Sequence, residues 1–355
     1  MNPQIKCYDE IKTQEIAWQE AVRVTLQNKS EINAFFDKTN PSELFFIGCT
    51  SPYYAGLSAS AFWKTETGLP ARAIPSSELV LFPSLYYSGT RSNPVLIALS
   101  RSGKTTETIW AVSEFERRFP GRFVLIGCNP QGSLVEMAQV KILLPESAEN
   151  TIPQTRSLSS MFISALIMAG FRSGNIELIE TLKNSPSCVN SILKNSEETV
   201  KALFDRKQYH NIFILGSGPL YGIALEAGLK CMEMSNTDTF CYPFLESRHG
   251  PRSLIDENSL VVGLYSQAGL NYEAALMGEL TENHKATTLA LTPAGDWITG
   301  HVSARVSVDN NWPDGLMGLA YLPVLQLIAY YSAVSKGLNP DEARLHTQYV
   351  EIKQF

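Results

Sequence analysis

The six cysteines of this 355-residue chain (Cys7, Cys49, Cys128, Cys188, Cys231 and Cys241) form no C-x-x-C pair and show no zinc-ligand spacing. A disulfide framework and a metal are not expected, and reduced thiols buried in apolar runs are the reading that this spacing favours. Long basic stretches are missing too: 29 Lys+Arg against 35 Asp+Glu leave a net charge of −6. That balance removes the broad positive field by which nucleic acid or an anionic membrane would be held. The N-terminal MNPQIKCYDEIKTQ has no apolar signal core, and no stretch reads as long enough to span a bilayer, so a cytoplasmic protein is expected. G-x-x-x-x-G-K-[ST], G-x-G-x-x-G and G-x-S-x-G are all absent. Their absence removes the Walker loop, the dinucleotide fingerprint and the hydrolase nucleophile elbow, and no cofactor is expected.

What the chain does have is one distinctive junction. The apolar run Val95-Leu96-Ile97-Ala98-Leu99 stops at Ser100-Arg101-Ser102-Gly103, and Lys104-Thr105-Thr106-Glu107-Thr108 leads into a helical stretch. A run apolar on both faces suits a buried parallel strand. Hydroxyls, a glycine and a helix start after such a strand form a cradle for an anion, because backbone N–H groups and the helix dipole favour phosphate there. The same serines and threonines also suit plain helix capping, so the junction alone leaves both readings open.

The length allows two ordinary domains with sizeable cores, and 44% hydrophobic with 18% charged residues is an ordinary globular balance. Ile5 to Phe36 reads as a helix. Strands are expected at Leu44–Ile47, Ala71–Ile74, Val95–Leu99, Phe123–Cys128 and Val140–Leu144, with helices at Tyr53–Thr65 and Glu107–Arg118 between them. Alternation of this kind implies right-handed crossovers and a parallel sheet covered on both faces, with ligands at the carboxyl ends of the strands. The pattern then recurs. Phe213-Ile214-Leu215-Gly216 repeats Phe46-Ile47-Gly48, and Gly48 to Glu78 spans the same 30 positions as Gly216 to Glu246 (78 − 48 and 246 − 216). Leu264-Tyr265-Ser266-Gln267-Ala268-Gly269 echoes Leu99 to Gly103, and Thr292-Pro293-Ala294-Gly295 echoes Asn129-Pro130-Gln131-Gly132. Four landmarks in the same order mark a duplicated α/β unit. The second copy has Ala268 and Leu270 where the first has Ser102 and Lys104, so it is not expected to hold a phosphate in the same way. Met161–Ala169 and Asn175–Phe204 read as helices. Leu316–Gly337 reads as a long apolar helix that Pro323 should kink or interrupt.

Two further stretches carry chemistry. Ala224–Ser235 (ALEAGLKCMEMS) places Glu226, Lys230 and Glu233 on a helix, with Lys230 and Glu233 sharing a face. Such a pair is usually solvated, but here Ala, Leu, Cys and Met surround it, and a buried ion pair is expensive unless it is used. Glu246-Ser247-Arg248-His249-Gly250-Pro251 offers an imidazole able to move a proton near neutral pH, or an ordinary loop histidine. His210, His284, His301 and His346 show no metal spacing.

Taken together these motifs resemble the sugar isomerase (SIS) family, in its double-domain form, over nearly the whole chain. The residues that carry the resemblance are Gly48 to Gly56, the S-x-S-G-x-T loop at Ser100 to Thr105, Ile152 to Ser157, the A-L-E-x-x-L-K-x-x-E helix from Ala224 to Glu233, and Arg248 to Pro251. The resemblance implies two tandem doubly wound parallel-sheet domains of flavodoxin-like form: 1–190 with an N-terminal helix, 191–340, and a tail 341–355 closing on the active site. It implies a sugar phosphate held by Ser100, Arg101, Ser102 and Thr105, with Ser51, Gln154 and Thr155 closing over the sugar. Glu233 would shuttle a proton between C1 and C2, supported by Lys230. His249 would open the sugar ring from the other subunit of a homodimer, and His346 stands where the family has a lysine. Thr50 and Pro52 also depart from the family's glycine and hydroxyl positions. The chain begins MNPQ and not with a nucleophilic cysteine, so glutamine-dependent amination is not expected. The implied activity is an amino-sugar or ketosamine 6-phosphate deaminase/isomerase or deglycase working through an enolamine or enediol. The alternatives are an aldose–ketose phosphosugar isomerase and a non-catalytic phosphosugar sensor. A carboxylate poised beside an anchored sugar is what such proton transfer needs.

Overall fold

Apolar runs without polar alternation become strands buried on both faces, and the computed structural model, which describes residues 5–90, 93–295, 300–308, 312–344 and 347–352, shows this twice over. The first sheet holds β1 (Glu43–Gly48), β2 (Ala71–Pro75), β3 (Pro94–Ser100), β4 (Phe123–Gly127) and β5 (Val140–Leu143) in the order β2-β1-β3-β4-β5. The second holds β6 (Asn211–Gly216), β7 (Asp238–Tyr242), β8 (Ser259–Leu264), β9 (Thr287–Thr292) and β10 (Ala304–Ser307) in the order β7-β6-β8-β9-β10. Every recorded pairing is parallel, and substituting β6 to β10 for β1 to β5 reproduces the first order in the second sheet. This is the flavodoxin-like arrangement, whose order reverses direction between its first and third strands. The expected pair of α/β units and the internal repeat are both present.

Contacts divide the chain into two units. One, the β1 unit, comprises Thr13–Asn150, Arg156–Pro186 and Thr347–Phe355; the other, the β6 unit, comprises Met1–Lys12, Thr151–Thr155 and Ser187–His346. The units are not linear in sequence: Met1–Lys12 and Thr151–Thr155 belong with the later residues, and Thr347–Phe355 belongs with the earlier ones. The reason is local. Cys7 and Ile11 are fully buried, the Cys7 amide donates to Asp341 Oδ1 at 2.7 Å, and the Tyr8 ring lies 4.9 Å from Tyr330. At the other end, the Thr106 amide donates to the Val350 carbonyl at 3.2 Å.

The expected N-terminal helix is broken into three, Lys6–Lys12, Gln14–Gln27 and Lys29–Thr39, and the exchange accounts for the break at Thr13. The first serves the β6 unit, while Ala17, Trp18 and Ala21 of the second are buried in the β1 unit, so one continuous amphipathic face is not possible. The stretch expected as a helix from Asn175 to Phe204 likewise divides into Ile176–Asn184 and Pro186–Arg206, since Pro186 supplies no amide to continue the first helix.

Each unit has a central buried helix. In the β1 unit it is Arg156–Ser173, buried at every position from Ser157 to Phe171. Trp18 Nε1 donates to Ser159 Oγ at 2.7 Å, and Trp63 Nε1 donates to the Ala165 carbonyl at 2.8 Å. In the β6 unit it is Asp314–Ser335, which runs on through Pro323 without a break. It approaches the helix Tyr221–Ser235 closely, and a Cβ at Gly318 would sit 2.7 Å from Ile223. The expectation that no stretch is long enough to span a bilayer needs correcting: by length and apolar composition this helix is, with 83% of its apolar window buried inside the protein. The sheet cores are filled by Phe45, Leu96, Phe115 and Phe123 in the first unit and by Phe213, Val261, Tyr265 and Met277 in the second. Each such side chain contributes about 1.5–3 kcal/mol on burial.

Candidate active site

At the carboxyl ends of β1 and β3 the β1 unit presents two loops side by side, since Ile47 pairs with Ala98 in register. After β1 the chain turns sharply. A Cβ on Gly48 would lie 2.6 Å from the Pro52 side chain, so only glycine fits there. Thr50 follows in a left-handed conformation (φ 53°, ψ −114°), and Ser51, 1% exposed, opens the helix Ser51–Thr67. Burial raises the Cys49 thiol above its ordinary range, against a 3.4 Å hydrogen bond with Thr108 that lowers it. Cys49 is therefore a protonated wall residue and not a thiolate nucleophile.

After β3 the hydroxyl loop is shaped by its own side chains. The Gly103 amide donates to Ser100 Oγ at 3.1 Å and the Lys104 amide to Ser102 Oγ at 3.2 Å. The following loop braces it: Asn129 Nδ2 donates to the Ser102 carbonyl at 2.9 Å, and the Leu134 amide to the Gly103 carbonyl at 3.2 Å. Gly103 is left-handed (φ 62°), and a Cβ on Gly132 would come within 2.8 Å of its Cα, so both glycines are needed for the loops to meet. Thr105 caps the helix Thr106–Arg118 with its backbone, while its hydroxyl makes no capping bond.

Arg101 lies between the two serines with its guanidinium 8% exposed. It is held by Glu149 at 3.3 Å, and it donates to the Gln348 carbonyl of the C-terminal segment at 3.1 Å. Glu149 is itself fixed by the Ser157 amide at 2.8 Å. Arg101, Ser102, Lys104, Asn129, Gln348 and Tyr349 line a cavity of about 290 Å³. Glu149 also lines this cavity and pairs with Arg101, so Lys104 supplies the positive charge left over for an anion.

The β6 unit holds the other expected residues. Helix Tyr221–Ser235 carries Glu226, Lys230 and Glu233 on one face. Lys230 is 1% exposed, joined to Glu233 by a short ion pair and lying 3.6 Å from Glu226. Glu226 is equally buried, while the Glu233 side chain keeps 16% of its surface exposed. A buried ammonium between two carboxylates is expensive to assemble and holds the outer carboxylate in one place. Gln154 and Thr155 belong to this unit and not to the serine loop's. The Thr155 carbonyl accepts from Gln326 Nε2 at 3.1 Å, and Gln154 Oε1 is buried without a hydrogen-bond partner among the described residues. His249 follows the short turn Leu245–Arg248, is exposed, and its ring makes no hydrogen bond among the described residues. His346 lies outside the described residues.

The structure thus gathers Ser51, Ser100, Arg101, Ser102 and Thr105 in one unit and Gln154, Thr155, Lys230, Glu233 and His249 in the other. Glu149 and Gln326 were missed. Glu149 is 48 positions from Arg101, and Gln326 is one polar residue in an apolar helix, so neither leaves a local spacing signal. The third member of the ion cluster, Glu226, was visible from its four-residue spacing to Lys230.

A sequence profile of the SIS domain family matches residues 207–335. The isomerizing glutamine–fructose-6-phosphate aminotransferase of Caldanaerobacter subterraneus is 27% identical over 364 residues, covering 97% of this chain and 58% of that protein. This chain spans about half the length of the curated relatives it matches. Among solved structures, tagatose-6-phosphate ketose/aldose isomerase from Escherichia coli superposes with a TM-score of 0.85 at 23% identity, over 96% of each chain. Glucosamine-6-phosphate deaminase from Thermotoga maritima does so with a TM-score of 0.72 at 24% identity, over 93% of this chain and 99% of that one.

Proposed function

We propose, for a chain that carries an SIS domain and is homologous to the isomerase region of the glucosamine–fructose-6-phosphate aminotransferases, that it is a phosphosugar enzyme removing an amine from an amino-sugar or ketosamine 6-phosphate. The observation that carries this reading is the buried Glu226–Lys230–Glu233 cluster, because an exposed end on an otherwise buried ion cluster is a costly arrangement for structure alone. Ser100, Ser102 and Thr105 hold the phosphate beside Arg101, with Lys104 supplying positive charge. Ser51, Gln154 and Thr155 face the sugar, and the unpartnered Gln154 Oε1 is an acceptor for one of its hydroxyls.

In this reading Glu233 takes a proton from the carbon next to the carbonyl, giving an enolamine, and returns it to the neighbouring carbon. The C=N bond so formed is hydrolysed by water, which releases ammonia from an amino sugar or an amino acid from a ketosamine, with no net oxidation and no glutamine consumed. Lys230 keeps Glu233 in place. His249, exposed and uncommitted, opens the ring and is contributed by the second subunit of a cytoplasmic homodimer; His346 occupies the position of the family lysine.

The test is amine release. Incubation with hexosamine, ketose and fructosamine phosphates should liberate ammonia or amino acid, and Glu233→Gln should lower the rate by at least about a thousandfold while phosphate binding persists. Isomerised sugar phosphate without amine would make it a ketose–aldose isomerase. Binding of phosphosugars with no turnover of any of them would make it a sensor.

A further inference from the structure

Thr50 is a β-branched residue in a backbone conformation (φ 53°, ψ −114°) that matches the first central position of a type II′ turn, which glycine dominates. The duplicated half provides an internal control. Gly216 corresponds to Gly48, each the last residue of its strand, and two positions further on Gly218 corresponds to Thr50 with φ 56° against 53°. The elbow therefore requires this left-handed step in both copies, and glycine meets it without strain in one of them. Strain of this kind persists where the side chain does something glycine would not.

What the side chain offers is visible. Thr50 is exposed at the carboxyl end of β1, next to buried Ser51, on the strand that pairs directly with β3 and its serine loop. Its Oγ1 donates to the Cys49 carbonyl at 2.8 Å, which fixes the hydroxyl and leaves its lone pairs as acceptors. A fixed acceptor beside a methyl group, at the mouth of a site for a hydroxyl-rich ligand, discriminates between sugars by where they carry a donor. We propose that Thr50 is a specificity-determining residue that selects among phosphosugars at the β1–β3 loops. This rests on the phosphosugar reading above.

The experiment compares wild type with T50G and T50S. Melting temperatures are measured without ligand, and dissociation constants for inorganic phosphate and for a panel of epimeric hexose and hexosamine 6-phosphates by calorimetry. T50G should melt a few degrees higher, because relief of the turn outweighs the added freedom of the unfolded chain. Its ratios of dissociation constants within the panel should shift by about tenfold for the sugar whose donor meets the hydroxyl. T50S, which keeps the hydroxyl, should retain the wild-type ratios. Panel ratios unchanged in T50G, or a melting temperature that does not rise, overturns the proposal while leaving the phosphosugar reading standing. A wild-type protein that binds neither phosphate nor any phosphosugar overturns both.

Discussion

The loop after β3 and the loop after β8 start from one design and end in opposite states. In each a glycine amide donates back to the serine three positions earlier, Gly103 to Ser100 at 3.1 Å and Gly269 to Ser266 at 2.9 Å. In the second loop, Glu273 then folds over the turn and accepts from the Ser266 amide at 2.7 Å and its hydroxyl at 2.8 Å. Asp314 takes the next two amides, Gln267 at 2.6 Å and Ala268 at 3.1 Å. In the first loop the Lys104 amide goes to a hydroxyl instead, and Glu107, which occupies the position of Glu273 (100 + 7 and 266 + 7), has a buried Oε2 with no hydrogen-bond partner among the described residues. Gly103 is left-handed at φ 62°, whereas Gly269 sits at φ −103°. In the second loop the chain's own carboxylates thus take the donors, while the strand-turn-helix scaffold is shared.

The largest test of this contrast removes hydroxyls on both sides. The double change Ser100→Ala and Ser102→Ala should weaken sugar-phosphate binding a hundredfold or more, about 3–6 kcal/mol for two hydrogen bonds to a charged group, whereas Ser266→Ala should leave it unaltered by calorimetry. Equal effects would erase the distinction between the loops.

Next in size is pH. Desolvation raises the carboxyl of Glu273 from 4.5 to about 7, against the Ser266 hydrogen bonds, which lower it. A carboxyl raised on folding favours the protonated native state, so its contribution is complete below about pH 4.5 and is lost as pH rises to about 7. Glu273→Gln should flatten that dependence and leave the variant on the order of 3 kcal/mol more stable than wild type above pH 7, by denaturant titration across pH 4–8. An unchanged profile would mean that folding does not shift the Glu273 carboxyl. The smallest effect reverses the Thr50 substitution: Gly218→Thr, in open space but at φ 56°, should lower stability by about 1–2 kcal/mol.

Much of this was legible in the residues. Val95–Leu99 reads as a buried strand because no polar residue alternates within it, and the paired glycine landmarks expose the duplication because an elbow demands glycine wherever it recurs. The Lys230–Glu233 pair was visible through helical spacing. Other features depend on partners distant in sequence. Nothing near Thr13 announces that one amphipathic stretch must serve two units. Glu273 leaves no local signal in the sequence, because Ser266 and Asp314 meet it only in the fold, and Arg101, expected to hold the phosphate, is engaged by Glu149 and Gln348. Asp314–Ser335 carries the composition of a membrane span, and only its burial inside the protein makes it a core helix.

The exchange of end segments has a consequence for synthesis. Cys7 leaves the ribosome 334 positions before Asp341, against which it rests. The helix Lys6–Lys12 must wait for that partner while the intervening residues are made, and the β1 unit, though its sheet is made earlier, receives Val350 against Thr106 only 244 positions later. Each unit is finished only when a segment far along the sequence has emerged.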